Sequence, residues 1–186
     1  MSVDNPVKRL LMTVTQGVYV VGVGKDGRRN AFTASSVMQV SMQPPMLAIA
    51  VNPDNASYTL LVEGGVFAVT VLQRSQCALA DFFGNHSAQD EDKLSAVAWH
   101  AAPSGAPVLD EGLSYLDCRA VSRHPAGDHV VILAEITGGD FLQGRVRPLR
   151  YDEVGDMDRS DELLPGHLGS AGGRSEFPIA HDASEP

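Results

Sequence analysis

The sequence predicts a mainly β protein, built as an antiparallel barrel rather than a doubly wound parallel sheet. Short β-branched runs bounded by glycine or proline recur along the chain, and Asp26-Gly27 is a strong signal for a tight hairpin. Most of these runs follow one another without a long helical crossover, which parallel strands would need. The Gly22-Val23-Gly24 run lacks the third glycine of a dinucleotide fingerprint and opens no helix, so a Rossmann interpretation fails.

Individual elements follow from turn residues and apolar periodicity. Asn5-Pro6 is typical of a helix start, and Ser57 and Ser75 are predicted to cap two more short helices that end near Gly64-Gly65 and Gly84. The helices are predicted over 7–14, 57–62 and 75–83. The strands are predicted over 18–23, 30–34, 37–41, 46–51, 66–72, 113–122, 129–136 and 146–151. Residues 85–92 are polar and are predicted to form a loop.

Charge and composition divide the chain into two parts. The 186 residues carry a net charge of −9. Residues 152–186 hold nine acids and two arginines, a net of −7, which leaves −2 for residues 1–151. The body is therefore nearly neutral, whereas the tail is rich in Asp, Glu, Gly, Ser and Pro and is predicted to be disordered. We expect one domain over 1–151 and an acidic C-terminal tail over 152–186.

Several partner and site classes are disfavoured by the same composition. No basic stripe is available to hold a nucleic-acid backbone, and no run of about 18 apolar residues could span a membrane. Cys77 and Cys118 show no paired spacing, which favours buried thiols and a reducing cytoplasm. The histidines do not show metal-ligand spacing, so no metal site is predicted.

Small hydroxyl residues at the end of the second strand are the first candidate binding site. Thr33, Ala34, Ser35 and Ser36 would let a ligand approach the backbone, and their hydroxyl and N–H groups could donate to a phosphate. An ordinary polar strand end is the alternative. The next segment, from Val40-Ser41 to Pro44-Pro45, is either a rigid connection or a means of presenting fixed amides to a polar ring edge.

Three further candidates come later in the chain. Asn52 can both donate and accept, as a ring edge of a flavin would require, and Ser57 could meet a phosphate or simply cap its helix. Of Phe82 and Phe83, both could lie in the core, or one could line a cofactor pocket. The Gly127-Asp128-His129 turn could bring an imidazole to a nicotinamide or phosphate, although a lone surface histidine is usually inert.

Taken in order along the chain, these segments resemble the short-chain flavin reductases. The resemblance spans roughly residues 6–151 and rests most specifically on Thr33-Ala34-Ser35-Ser36 and Gly127-Asp128-His129. It is supported by further matching segments, namely Asn30-Ala31-Phe32, Val40-Ser41, Pro44-Pro45, 67–72, Leu79-Ala80, Phe83-Gly84, 105–109 and 116–118.

The resemblance implies a six-stranded Greek-key split barrel with a few short helices, and a homodimer with flavin near the subunit interface. Carried over by position, Thr33 to Ser36 would surround the ribityl chain and phosphate of FMN or FAD, with Ser57 approaching the phosphate. Val40, Ser41 and Asn52 would lie near the isoalloxazine, and Phe83 beside the cofactor. His129, in its turn with Gly127 and Asp128, would be the catalytic residue that assists NADH or NADPH.

The function that this resemblance implies is hydride transfer from NAD(P)H to flavin, with reduced flavin supplied to a partner monooxygenase. Two alternatives remain open at this point. The first is a flavin-binding electron carrier without useful NAD(P)H turnover, and the second is a non-catalytic cofactor-binding module. The sequence also departs from the family in its acidic extension and in Phe32, where a smaller residue is common.

Overall fold

The protein folds around one antiparallel sheet whose order differs from the order of its strands along the chain. The computed structural model describes residues 10–11, 13–85, 92–143 and 147–154. Seven strands form the main sheet in the order β2-β1-β5-β8-β9-β4-β3. Their bounds are β1 Tyr19–Lys25, β2 Arg28–Ala34, β3 Val37–Met42, β4 Pro45–Val51, β5 Val66–Val71, β8 Ser114–Ala126 and β9 His129–Phe141. The mainly β prediction is confirmed, with one strand more than the expected six.

The remaining elements lie against or beside this sheet. Helix α1 spans Tyr58–Gly64 and helix α2 spans Cys77–Asn85. A separate pair of short strands, β6 Trp99–Ala101 and β7 Pro107–Leu109, was not predicted from the sequence. Short 3₁₀ turns occupy Lys93–Ala96 and Tyr151–Glu153. No helix in the described part of the chain is both long and apolar enough to cross a membrane.

The sheet must curl, because its two edge strands are consecutive in the chain. Strand β2 ends at Ala34 and β3 begins at Val37, so only Ser35 and Ser36 join opposite edges of the sheet. The Cα atoms of Ala34 and Val37 are three residue steps apart and therefore at most about 11 Å from each other, which forces the edges together. The carbonyl of Ser36 also accepts a hydrogen bond of 3.0 Å from the backbone N–H of Ala50 on β4.

Tight turns hold the two long hairpins in register. In the β1–β2 hairpin Asp26 and Gly27 have φ of 51° and 78°, the pair of positive angles that a type I′ turn requires. In the β8–β9 hairpin Ala126 pairs with His129 across Gly127 and Asp128, with Gly127 at φ 66°. The first turn was predicted from Asp26-Gly27, whereas β8 runs to Ala126, four residues beyond its predicted end at Ser122.

Alternating residues of each strand fill the inside of the barrel. The inner core includes Val21 and Phe32 from the β1–β2 hairpin and Ile49 and Ile132 from β4 and β9, all at most 4% exposed. Helix α1 contributes Leu60 and Leu61 to the same cluster. This alternation is the pattern expected of strands with one face in a core.

A second apolar cluster covers the outer face of β1 and β2. It contains Val20 and Ala31 from the strands, Ala80 and Phe83 from α2, and Leu149 from the C-terminal segment. Strand β7 also approaches this face closely: a Cβ on Gly22 would lie 2.0 Å from the Pro107 carbonyl oxygen. Helix α2 and its neighbours therefore seal this half of the sheet.

The C-terminal segment departs from the predicted last strand. Instead of a strand over 146–151, the structure has isolated bridges from Arg150 to Gly17 and from Pro148 to Gln73. Contacts continue beyond Tyr151, because Arg74 pairs with Glu153 at 2.8 Å and Val154 packs on the second cluster. The predicted tail beyond Val154 lies outside the described residues, as do 86–91 of the predicted loop and four of the eight residues of the helix predicted over 7–14.

Candidate functional site

The outer face of β3, β4, β9 and the far end of β8 brings several of the predicted site residues together. Strand pairing places Ala50 opposite Val131 and Val131 opposite His124. Because Ser36 bonds to Ala50, these four residues form one row across four chain segments. With strands about 4.8 Å apart, Ser36 and His124 are separated by about 14 Å.

A second row lies beside the first, at the tip of the β8–β9 hairpin. Val51 pairs with Val130, so Asn52 and His129 follow at neighbouring positions on adjacent strands. His129 is half-buried, and its Nδ1 lies 2.9 Å from an Asp128 carboxylate oxygen. A carboxylate can only accept, so Nδ1 of His129 carries the proton and Nε2 is left for another partner. The hydrogen bond from His129 lowers the pKa of Asp128.

Between Ser41 and Asn52 the outer face of β4 and β9 is apolar. Ala48 is 7% exposed, while Ala50, Val131 and Leu133 are half-buried on the same outer face. Met38, paired with Ala48, is 64% exposed at the edge of this floor. Small side chains flanked by hydrogen-bonding residues suit a planar aromatic ring with polar edges.

The edge strand β3 carries the predicted Val40 and Ser41. The register with β4 shifts between Gln39 and Ser41, which leaves Val40 in an irregular position and 42% exposed. Ser41 pairs with Met46 on the outer face, and its hydroxyl accepts a bond of 3.3 Å from the N–H of Gln43. Both residues border the floor, at the end of β4 opposite to Asn52.

The loop between β4 and α1 is ordered by its own side chains. The side-chain oxygen Oδ1 of Asn52 accepts from the N–H of Asp54 at 2.9 Å, which leaves the side-chain N–H₂ of Asn52 for other partners. Ser57 is 1% exposed, and its hydroxyl accepts a 2.9 Å bond from the Asn30 side chain. The predicted capping bond of Ser57 is wrong, because that hydroxyl makes no bond to the first turn of α1.

The four small residues after Phe32 do not share one environment. Thr33 donates to the Ala80 carbonyl at 2.6 Å, which ties β2 to α2, and Ala34 lies in the inner core. Ser35 is half-buried and Ser36 is exposed. Only the two serines therefore lie free of the core at the join between β2 and β3.

Phe83 lies apart from the outer face of β3, β4 and β9. It is 1% exposed within the cluster under α2, and its ring meets Phe82 edge-on with centroids 5.2 Å apart. Lys93, itself 4% exposed, donates to the Phe83 carbonyl at 3.3 Å, and burial lowers the pKa of that ammonium. Phe82 is half-buried, so it has more surface to offer a ligand than Phe83 does. Contact of Phe83 with a cofactor stays a prediction.

Ser75 also differs from its predicted role, because α2 begins only at Cys77. Gln76 precedes the helix instead, and its side chain accepts from the N–H of Gln73 at 2.8 Å.

Burial raises the pKa of the Cys118 thiol to about 12, with the Asp117 charge adding to the effect. Cys118 is therefore a thiol at neutral pH and not a nucleophile.

Two residues at the site were given no role from the sequence. Asn30 holds Ser57, and His124 joins Ser36 in the first row. The pairing of β8 with β9 places His124, and a side-chain bond between β2 and the loop before α1 places Asn30, so no local pattern marks either contact. Among the described residues, no three His, Cys, Asp or Glu side chains cluster as a metal site.

The chain is similar to a known protein family and to curated proteins. Residues 11–156 match the family described as flavin reductase like domain. A curated protein of Methylorubrum extorquens, FMN reductase (NADH) RutF, is 33% identical over 146 residues, covering 78% of this chain and 70% of that protein.

Solved structures resemble the fold as well. The NADH:FAD oxidoreductase SgcE6 of Streptomyces globisporus superposes with a TM-score of 0.73 at 28% identity, covering 80% of this chain and 88% of the other. BorF, the flavin reductase component of a bacterial two-component tryptophan halogenase, gives a TM-score of 0.72 at 28% identity, covering 80% and 93%.

Proposed function

The chain belongs to the flavin reductase like domain family and is an oxidoreductase that reduces flavin with NAD(P)H, and we propose that its outer sheet face is where both ligands bind. FMN and NADH are the proposed pair, because several curated relatives are named FMN reductase (NADH). Reduced flavin would then serve a partner oxygenase, as the names of BorF and of a nitrilotriacetate monooxygenase component suggest for those proteins.

The observation that carries the proposal is the apolar floor, which lies along β4 between Ser41 and Asn52 with Ser36 at its side. Ala48 and Ala50 would support the flat ring, while Ser41 and Asn52 would meet its polar edges. Ser35 and Ser36 would donate to the ribityl chain and phosphate, with Thr33, Ala34 and Ser57 shaping the backbone beside them. These roles are taken from the position of each residue on or next to the outer face.

The chemistry needs little from the protein beyond positioning. Bound flavin and nicotinamide supply the hydride acceptor and donor. His129 would hold the nicotinamide through Nε2, because Asp128 fixes the proton on Nδ1. Gly127 allows the turn that brings this imidazole to the end of the floor. Holding the two rings in contact and excluding water are the main contributions expected of the chain.

We also propose that a second copy of the chain covers the outer face. Met38 and Met42 are 64% and 79% exposed on the edge strand, and Val121 is 58% exposed on β8. An exposed edge with apolar side chains favours association, so a homodimer would cover both the edge and the bound flavin. The free thiols of Cys77 and Cys118 favour the cytoplasm as the compartment.

Steady-state oxidation of NADH with and without added FMN tests the proposal. We expect rapid turnover that depends on flavin and continues for many equivalents of NADH. A protein that binds FMN but turns over slowly would be an electron carrier, and one that binds no flavin would be a non-catalytic module. Either result would contradict the proposed activity.

A further inference from the structure

The β8–β9 hairpin carries a second histidine on the same face as His129. Beyond Arg119 strand β8 no longer pairs with β5, so residues 121–126 hydrogen-bond only to β9 among the described strands. On this projecting arm His124 is opposite Val131, and His129 is two residues before Val131. Such diagonal neighbours have Cα atoms about 7–8 Å apart.

Each imidazole is held by a different neighbour. Nε2 of His124 lies 3.0 Å from the Ser122 hydroxyl, whereas Nδ1 of His129 lies 2.9 Å from Asp128. A serine hydroxyl can donate or accept, and in the tautomer in which Ser122 donates to Nε2, Nδ1 of His124 is the N–H donor. His124 then presents a donor where His129 presents an acceptor.

Resting on the proposed function, we infer that His124 is a binding residue for the nicotinamide nucleotide, donating to an oxygen of its pyrophosphate. Ser36 lies about 14 Å away across the row, which is too far for one phosphate group to touch both residues. With the flavin phosphate at Ser35 and Ser36, the anion at His124 belongs to the second nucleotide. His129 on the same face would meet the nicotinamide end.

Neutral hydrogen-bond donors, rather than a net positive charge, would hold a phosphate on this arm. The other charged groups facing the arm are Arg123, Asp128 and the Arg119–Glu135 pair at 2.6 Å. Ser36 and Asn52 offer only neutral donors, and the chain as a whole carries a net charge of −9. The imidazole of His124 would therefore contact the phosphate of a dinucleotide, and no charged side chain on the floor would be needed.

The test compares His124→Ala with the wild type using two hydride donors. One donor is NADH, and the other is 1-benzyl-1,4-dihydronicotinamide, which has no phosphate. We expect KM for NADH to rise about tenfold or more, from the loss of a hydrogen bond to a charged group. The rate with the phosphate-free donor should stay within about twofold of wild type, and FMN and riboflavin affinities should not change. His124→Arg should restore much of the NADH affinity.

Matched controls separate the possible failures. His100→Ala removes a histidine on β6, which pairs with Asp110 away from the arm, and it should leave NADH use unchanged. An unchanged KM for NADH in His124→Ala would overturn the inference, and so would an equal loss with both donors. A selective loss of FMN but not riboflavin affinity would assign His124 to the flavin phosphate and overturn it too. Wild-type protein without flavin-dependent NADH oxidation would overturn the proposed function itself.

Discussion

The two halves of the sheet's outer surface differ in what covers them. Over β1 and β2 the chain supplies its own cover, and Val20 and Ala31 of the strands and Phe83 of α2 are at most 1% exposed. Over β3, β4 and β9 the described residues supply none, and Met38 on that face stays 64% exposed. Because burial of apolar surface is the main favourable term in folding, the bare half is best explained as a surface kept for a ligand and a second subunit.

Phe83→Ala should give the largest effect, because it opens a cavity in the covered half. Replacing a buried phenylalanine with alanine costs about 3–5 kcal/mol of the free energy of unfolding. Denaturant unfolding monitored by circular dichroism measures that loss. Met38→Ala removes an exposed side chain from the bare half, and its monomer stability should change by less than about 0.5 kcal/mol. Similar losses of unfolding free energy in both variants would contradict the proposed difference in burial between the two halves.

Met38→Asp should act on association rather than folding. Burying a carboxylate at the edge of the floor against a partner is unfavourable. The lost burial of the methionine side chain alone weakens association by about 1.5–3 kcal/mol per subunit. Light scattering at micromolar concentration should show a dimer for the wild type and a monomer for the variant, both folded. A monomeric wild type at that concentration would contradict the proposed homodimer.

Ser35→Asp and Ser36→Asp sharpen the assignment within the bare half. Each variant places a carboxylate beside the proposed flavin phosphate and removes a hydroxyl donor. A lost bond to a charged group costs about 1.5–3 kcal/mol, and charge repulsion adds roughly 1–4 kcal/mol, so FMN affinity should fall at least tens-fold.

Riboflavin has no phosphate and should be affected far less by the same variants. Ser75→Asp is the matched control, since Ser75 is exposed beside α2 on the covered half. Flavin fluorescence titrations give both affinities. Equal losses for FMN and riboflavin would refute the phosphate contact.

Truncation after Val154 should have the smallest effect. Residues 155–186 include seven acids, so their removal changes the charge, but the sequence gives them few apolar residues to bury. We expect the midpoint of thermal unfolding and FMN affinity to stay at wild-type values. Ending the chain after Tyr151 instead removes Glu153 and Val154, and should lower the midpoint through the lost Arg74 pair and core contact. A large loss of stability in the variant that ends at Val154 would show that the tail docks on the body.

The fold was largely predictable because its signals are local. Asp26-Gly27 and Gly127-Asp128 mark the turns, and β-branched runs mark most of the main strands to within a few residues. Strands β6 and β7 were missed because each has only three residues and no clear alternation. The bond from Asn30 to Ser57 was missed because it joins residues 27 apart in the chain.

The site was less predictable, because it depends on register between distant strands. The sequence indicated Ser36, Asn52 and His129 separately, and the pairing of β4 with β9 places them on one face. The pairing of β8 with β9 adds His124, for which the sequence indicated no role. Conversely, Thr33 bonds to α2 and Phe83 packs within the covered half, which the resemblance alone did not reveal.

Amide hydrogen exchange of the full chain with and without FMN tests most directly whether the bare half is the flavin site. We predict slower exchange on FMN binding in residues 35–43, in the loop after Asn52 and in the turn before His129. Exchange in α2 and in β6 and β7 should stay unchanged. Protection confined to α2 and β6–β7, with none around Ser36 and Asn52, would contradict the assignment of the flavin to the bare outer face.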